Sequence, residues 1–145
     1  MAVEGVGEET ATLLSLMVPM FRRYSGEITQ EKKNLSCLED ASRYCLALLS
    51  GLRTEHFYVI ALGRDGKILG RRLVAEGSLG EVSAYPRLVA ETALNYNAAS
   101  VILCHNHPGG SAAPSPADLE TTKQLEKVLL GLDVYLLDHL VVAGG

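Results

Sequence analysis

Residues 99–118 read ASVILCHNHPGGSAAPSPAD, and this stretch decides how the rest of the chain is interpreted. It opens with a short apolar run, residues 99–104, which is typical of a buried strand. Pro108, Gly109 and Gly110 then turn the chain sharply, because glycine adopts backbone conformations that other residues avoid. A helix is predicted to begin at Ser115. A strand, a tight turn and a helix in succession favour a domain of mixed secondary structure.

Two histidines at the end of this strand are candidate metal ligands. Side chains two residues apart share a face of a strand, so His105 and His107 can direct both imidazoles at one point while Asn106 turns away. Asp118 falls in the first turn of the following helix and can reach back as a third ligand. Two imidazoles and one carboxylate match zinc, and three protein ligands leave a fourth position for water. The pattern predicts a catalytic type of zinc site.

Each half of this pattern also has a simpler explanation. Ser115-x-x-Asp118 is what an ordinary helix start looks like, because the serine can cap the helix and the aspartate can reach back to it. The pair His105 and His107 could equally be two loop histidines without a ligand role. The two halves together, separated by a glycine turn, favour the metal site.

The segment before the core is predicted to be a helical appendage. Residues 8–24 have apolar side chains at helical spacing, although Pro19 should kink or stop the helix early. The polar residues 25–35 indicate a linker. Ser36-Cys37-Leu38-Glu39 is a capping-box pattern, which predicts that the next helix starts there and runs to about Leu49.

The remaining elements alternate between strands and helices. A hairpin is predicted from two apolar runs around Arg64-Asp65-Gly66. The pattern predicts strands at residues 56–62, 67–75, 99–104 and 134–142, the last as one or two strands, and helices from Pro86 to about Tyr96 and from Ser115 to a cap at Gly131. This order favours a mixed sheet with helices on its faces, and it places the histidines at the C-terminal end of a central strand, where ligand sites are common.

Composition limits the kind of protein. A chain of 145 residues with 48% hydrophobic content is sufficient for one domain with a short appendage. The net charge of −4 gives no general attraction to nucleic acid. Three cysteines without close spacing suit a reducing compartment. No secretory signal is recognisable and no apolar run reaches the roughly 20 residues that span a bilayer, so we expect a cytoplasmic protein with no membrane partner.

The histidine and aspartate pattern also carries a family resemblance. His105-x-His107, seven residues, then Ser115-x-x-Asp118 resembles the H-x-H-x7-S-x2-D signature of JAMM/MPN+ (JAB-type) metalloproteins. Around it, Pro86-Arg87, Asn97-Ala98-Ala99 and Leu137-Asp138-His139 resemble the RadC family. The resemblance implies an α/β fold with a mixed sheet flanked by helices, the JAMM/MPN-like, cytidine-deaminase-like three-layer domain. It assigns residues 35–145 to this metal-binding domain and residues 1–34 to the appendage and linker.

The resemblance also implies roles for individual residues. His105, His107 and Asp118 become Zn²⁺ ligands, and Ser115 becomes a hydrogen-bonding partner of a developing oxyanion. Glu55, in Glu55-His56-Phe57, takes the position of the general base. The implied activity is that of a zinc-dependent metallopeptidase or isopeptidase acting on an unknown peptide or protein.

Several further residues have weaker predictions. Glu76 and Glu81 are reserve candidates for the base, although exposed loop charges are the simpler interpretation. His139 could orient a metal ligand, or it could be a structural histidine at a strand edge. Cys104 should face the core, and His56 should point away from Glu55.

Two other functions remain open. Val3-Glu4-Gly5-Val6-Gly7 resembles the second half of a helix-hairpin-helix, the module that precedes the catalytic domain in RadC-like proteins and that binds DNA phosphates. A DNA-binding or DNA-repair accessory role is therefore the first alternative, although Glu4, Glu8 and Glu9 place negative charge around the motif. The second alternative is a zinc-bearing binding domain without turnover.

Overall fold

A computed structural model describes residues 7–31, 34–77 and 85–143 of the chain. Within these ranges, no helix has the length and apolar character that a membrane crossing requires. The elements in chain order are α1 (Glu8–Glu31), α2 (Leu38–Leu49), β1 (His56–Leu62), β2 (Ile68–Glu76), α3 (Tyr85–Asn95), β3 (Ser100–His107), α4 (Pro116–Leu130) and β4 (Tyr135–Ala143).

The four strands form one mixed sheet in the order β2-β1-β3-β4. β1 pairs antiparallel with both β2 and β3, whereas β3 and β4 are parallel. Parallel neighbours need a crossover connection, and α4 supplies it. The predicted mixed sheet is confirmed, and the strand that ends in His105 and His107 is central.

Helices cover both faces of the sheet, which explains why β3 is buried along almost its whole length and has the apolar run Val101 to Cys104. On one face, α2 packs Tyr44, Cys45 and Leu49 into a cluster with strand residues that include Ile60, Ile102 and Cys104. On the other face, α3 and α4 form a second cluster with alternate strand residues; its members include Val59, Val89, Val101, Leu103, Leu125 and Leu129. The predicted three-layer α/β fold is confirmed.

The two connections from α3 to β3 and from α4 to β4 have the same backbone conformation. Asn97 after α3 and Asp133 after α4 have left-handed backbone angles, with φ of 48° and 59°. In each case the next residue closes the helix: Ala98 N donates to Ala93 O, and Val134 N donates to Leu129 O. These are Schellman closures, which satisfy carbonyls at a helix end. The predicted cap Gly131 is the cap residue of α4, but its φ of −65° is right-handed and the reversal falls on Asp133.

The structure corrects the predicted end of the first helix and the predicted linker. The predicted linker is helical over residues 25–31, and Pro19 lies inside α1 without ending it. Glu27, Gln30 and Glu31 are good helix formers, which offsets the polar composition that suggested a linker.

The predicted capping box at Ser36 is also wrong. Cys37 occupies the cap position of α2, and its side chain makes no capping hydrogen bond. Ser36 lies outside the helix because the preceding residue is tied to the β1–β2 loop, where Leu35 N donates to Gly66 O at 2.9 Å. A tertiary contact therefore overrides the local pattern and moves the helix start by one residue.

β4 is a single strand through Asp138 and His139, where the sequence left one or two strands open.

Candidate metal centre

His105 and His107 end β3 on the same face of the sheet. The Nε2 atoms of the two rings lie 2.9 Å apart. His105 is fully buried, whereas the His107 side chain is 18% exposed. The alternation of a strand therefore brings two imidazoles to one point at the end of the central strand, as the sequence predicts.

Asp118 brings a carboxylate to the same point from the first turn of α4. Its Oδ1 lies 3.3 Å from His105 Nε2, and its Oδ2 lies 3.4 Å from His107 Nε2. One ligand atom from each of the three residues falls within 4.8 Å of the others, which is a spacing that could hold a metal ion. The convergence predicted for His105, His107 and Asp118 is therefore present in the fold.

The start of α4 fixes the position of this carboxylate. Ser115 is the cap residue, and its hydroxyl accepts from Asp118 N at 3.2 Å while Asp118 Oδ2 accepts from Ser115 N at 2.7 Å. This reciprocal pair is a capping box, which satisfies backbone donors at a helix start. The helix-start and ligand interpretations of Asp118 are compatible, because capping engages Oδ2 and leaves Oδ1 toward His105.

The donor set of the cluster suits a cation. His107 Nδ1 lies 2.8 Å from Ser111 O, and a carbonyl oxygen only accepts, so Nδ1 carries the proton of the neutral ring. His107 Nε2 therefore presents a lone pair to the cluster, next to an acidic oxygen. Two imidazole nitrogens and a carboxylate oxygen match the borderline-soft preference of zinc.

The electrostatics favour the metal-binding protonation states. Burial lowers the pKa of His105 and the neighbouring His107 lowers it further, against an opposing effect of Asp118. Burial alone raises the pKa of Asp118, but hydrogen bonds from Ser115 and the two histidines outweigh it, so that the pKa lies below its ordinary value. A neutral imidazole and an ionised carboxylate are the forms that coordinate metals.

Glu55 lies directly before β1. The pairing of β1 with β3 ends at Phe57 and His105, and the same antiparallel register continued by two residues would bring Glu55 opposite His107. Residues 55 and 57 share a face of an extended chain, which is the face of His105. The three converging ligand atoms do not include the Glu55 carboxylate, and the role of Glu55 as the base stays a prediction.

Asn106 holds the segment on both sides of Glu55, a role that the sequence did not reveal. Its Oδ1 accepts from His56 N at 2.8 Å, and its Nδ2 donates to Thr54 O at 3.0 Å. Asn106 itself is 1% exposed. The sequence did contain one signal, an asparagine between the two candidate histidine ligands. Its amide has both a donor and an acceptor, so it can form the hydrogen bonds that a neighbouring strand backbone would otherwise form.

The Ser115 hydroxyl is engaged within the cap. It donates to Asp118 Oδ2 at 2.7 Å and accepts from Asp118 N. The structure thus gives Ser115 a clear local role in orienting the carboxylate, and the oxyanion role stays a prediction.

The reserve candidates for the base are less well placed. Glu76 is paired with His56 across the hairpin, and its Oε1 lies 3.5 Å from His56 Nε2. His56 neighbours Phe57 in the strand and so faces the other side of the sheet from His105. Glu76 therefore belongs to the face opposite the cluster, and Glu81 lies outside the described residues.

His139 contacts the cluster from β4. Its Nε2 lies 2.9 Å from His105 Nδ1, and its Nδ1 lies 2.6 Å from Thr122 Oγ1. Burial, with His105 next in importance, lowers the pKa of His139 to about 4, so the ring is neutral near pH 7. Thr122 was not singled out in the sequence, although it lies one helical turn after Asp118. Cys104 faces the α2 cluster beside Cys45, as predicted.

A groove of about 1120 Å³ opens at the other end of the sheet. The β1–β2 loop, the end of α3 and the starts of β3 and β4 line it. Its lining residues do not include His105, His107 or Asp118, so the groove is separate from the cluster. By volume alone, the groove would be the candidate functional site. The converging donor atoms of His105, His107 and Asp118 make the cluster the better candidate.

Comparisons with known proteins agree with this geometry. The model of the RadC-like JAB domain matches residues 35–145. The chain belongs to the RadC family. Among curated RadC-family relatives, the UPF0758 proteins of Vibrio vulnificus, Bordetella bronchiseptica and Aliivibrio fischeri are 36%, 37% and 34% identical over 142 residues, which is 98% of this chain. The chain spans 63% of the length of each of these relatives.

The helix-hairpin-helix resemblance of this RadC-family chain falls largely outside the described residues. Of Val3 to Gly7, only Gly7 is described, directly before α1. The DNA-binding prediction for this motif stays a prediction.

Proposed function

We propose that this RadC-family chain is a zinc-dependent hydrolase of amide or isopeptide bonds in a peptide or protein. The observation that carries the proposal is the convergence of His105, His107 and Asp118, which would hold the ion. A zinc ion bound there would polarise a carbonyl group and lower the pKa of a water molecule. Three protein ligands, one of them partly exposed, suit a site that substrate can reach.

Glu55 supplies the proton transfer in this proposal. Its carboxylate would take a proton from the attacking water and give it to the leaving amine, which is the usual work of a general base that later acts as an acid. Support comes from the antiparallel register of β1 and β3, which would bring Glu55 opposite His107 if it continued by two residues, and from Asn106, which bonds to the residues on both sides of Glu55.

Ser115 has two tasks in the proposal. Its backbone and hydroxyl hold Asp118 Oδ2 in the described geometry. Turning the hydroxyl toward substrate would let it donate to the oxygen that becomes negative during the reaction. Backbone N–H of Ser115 still holds the carboxylate when the hydroxyl turns, so the two tasks do not exclude each other.

Metal analysis tests the ligand set. Wild type should bind about one zinc ion per chain at neutral pH, because three ligands converge. His107→Ala should lose this zinc, since one of the three donors is gone. His56→Ala is the matched control, because His56 faces the other side of the sheet, and it should retain zinc. Equal zinc content in wild type and His107→Ala would refute the ligand assignment.

A peptidase and isopeptidase screen tests the base. Glu55→Gln keeps the size of the side chain but cannot take a proton, so we expect unchanged zinc content and a rate roughly 10²- to 10⁴-fold lower. Glu76→Gln, the matched control on the opposite face, should keep the wild-type rate. Full activity of Glu55→Gln would remove Glu55 from the mechanism.

The same screen separates the alternative functions. Zinc binding with no turnover of any peptide or isopeptide substrate would favour a binding domain. Binding to duplex DNA that weakens steeply with salt, again without turnover, would favour a DNA-associated role.

A further inference from the structure

A chain of four polar groups connects the helix that carries Asp118 to the buried ligand His105. Thr122 Oγ1 donates to Asp118 O at 2.6 Å, one helical turn back in α4. The same hydroxyl lies 2.6 Å from His139 Nδ1, and His139 Nε2 lies 2.9 Å from His105 Nδ1. The chain therefore joins α4, β4 and β3 behind the cluster.

The order of donors along this chain follows from its Thr122 end. A carbonyl oxygen only accepts, so the single Thr122 proton goes to Asp118 O. The Thr122 oxygen then accepts from His139 Nδ1. A neutral imidazole has one N–H, which leaves His139 Nε2 as an acceptor for His105 Nδ1–H.

We propose that Thr122 and His139 are positioning residues that hold the His105 proton on Nδ1 and thereby keep His105 Nε2 free to bind the metal. The inference rests on the metal site proposed above, but it concerns the location of a proton between two nitrogens of one neutral ring. In the reverse order of donors, His105 Nε2 would carry the proton and donate it to His107 Nε2, 2.9 Å away, so the two orders compete in metal-free protein. In the proposed order the lone pairs of both Nε2 atoms face one another, an arrangement that a cation stabilises, so the direction of the chain favours the ligand form of His105.

The test compares substitutions at two adjacent threonines of α4, Thr121 and Thr122. Thr122→Val removes the hydroxyl while keeping a branched side chain of similar size, and Thr122→Ser restores the hydroxyl. Thr121→Val makes the same change one residue away, outside the chain of contacts. Both threonines are half-buried, so each variant should fold, which circular dichroism checks.

The first measurement is the ring tautomer of His105 in metal-free protein, from long-range ¹H–¹⁵N correlation spectra at about pH 8, where histidines are neutral. Wild type, Thr122→Ser and Thr121→Val should carry the proton on Nδ1. Thr122→Val should show a larger share of Nε2–H. A proton on Nε2 of His105 in wild type would overturn the proposal, whatever the outcome of the hydrolase assays.

The second measurement is zinc affinity by chelator competition. Removing a group that orients a metal ligand weakens binding roughly 10- to 100-fold, and we expect this for Thr122→Val and for His139→Leu. His139→Gln should recover part of the affinity, because its carbonyl oxygen can accept from His105 Nδ1. Wild-type affinity in both Thr122→Val and His139→Leu would show that the chain is structural only.

Discussion

At the scale of single residues, the candidate site depends on side chains that each serve two purposes. Asp118 caps α4 and faces the histidines, and Asn106 lies between two ligands while bonding to the chain on both sides of Glu55. Such sharing means that many single substitutions at the site change both stability and chemistry. Variants must therefore be compared by more than one measurement.

Asn106→Ala separates these two effects for the clamp on Glu55. It leaves His56 N and Thr54 O without their partner, which should cost about 1–3 kcal/mol of unfolding free energy in urea denaturation. Zinc content should persist, because Asn106 is not a ligand, while any hydrolytic rate that needs Glu55 falls. Asn95→Ala, at the exposed end of α3, should change stability by no more than about 0.5 kcal/mol. An unchanged stability of Asn106→Ala would mean that the two hydrogen bonds contribute nothing.

The candidate ligands could be predicted from sequence because local geometry alone brings them together. His105 and His107 are two positions apart in one strand, and Asp118 has a fixed place in a helix start. The contact between Thr122 and His139 joins residues 17 positions apart in different elements. It depends on how α4 packs against β4, and no local pattern encodes that packing.

At the scale of elements, two predicted helix starts have opposite outcomes. The pattern Ser-x-x-Asp at α4 forms a capping box, whereas Ser36-x-x-Glu39 at α2 does not. The difference comes from tertiary structure, since Leu35 is tied to Gly66 and holds Ser36 out of the helix. A capping pattern therefore predicts a helix nearby more reliably than it predicts which residue caps it.

This contrast makes a stability prediction for two serines. Ser115→Ala in metal-free protein should lower the unfolding free energy by about 1 kcal/mol, the usual cost of losing a cap. Ser36→Ala should be nearly neutral, because Ser36 does not cap α2. Urea denaturation of the two variants beside wild type checks both values. Equal losses at the two positions would contradict the assignment of the caps.

At the scale of the whole molecule, the candidate centre joins the sheet to the helix layer that covers one of its faces. β3 contributes the histidines, α4 contributes Asp118, and β4 contributes His139 behind them. All of them lie on the sheet face that α3 and α4 cover. An ion at this point would tie the crossover helix to the central strand.

Zinc should therefore stabilise the fold against unfolding. A ligand that binds only the native state at a hundred times its dissociation constant adds about 2.7 kcal/mol. We expect the unfolding free energy of wild type to be higher by this amount in zinc-buffered solution than in EDTA. The midpoint of urea denaturation should rise accordingly. His107→Ala should show no such gain. A comparable rise in that variant would place the stabilising ion elsewhere on the molecule.

The sheet and most helix positions could be predicted because hydrophobic periodicity reports burial directly. β3 contains a continuous apolar run from Val101 to Cys104 since helices cover both its faces, and the hairpin is marked by its turn residues. The helical extent of α1 beyond Tyr24 was missed, because polar residues that form helices well resemble those of a linker.

The paired left-handed residues that follow α3 and α4 limit how the sequence can vary. A branched side chain at position 97 or 133 would meet the penalty of about 1–2 kcal/mol that left-handed backbone imposes on most amino acids. Glycine, asparagine and aspartate avoid most of it. Saturation libraries at these two surface positions should thus return a narrow set of survivors, even though neither residue touches the metal centre.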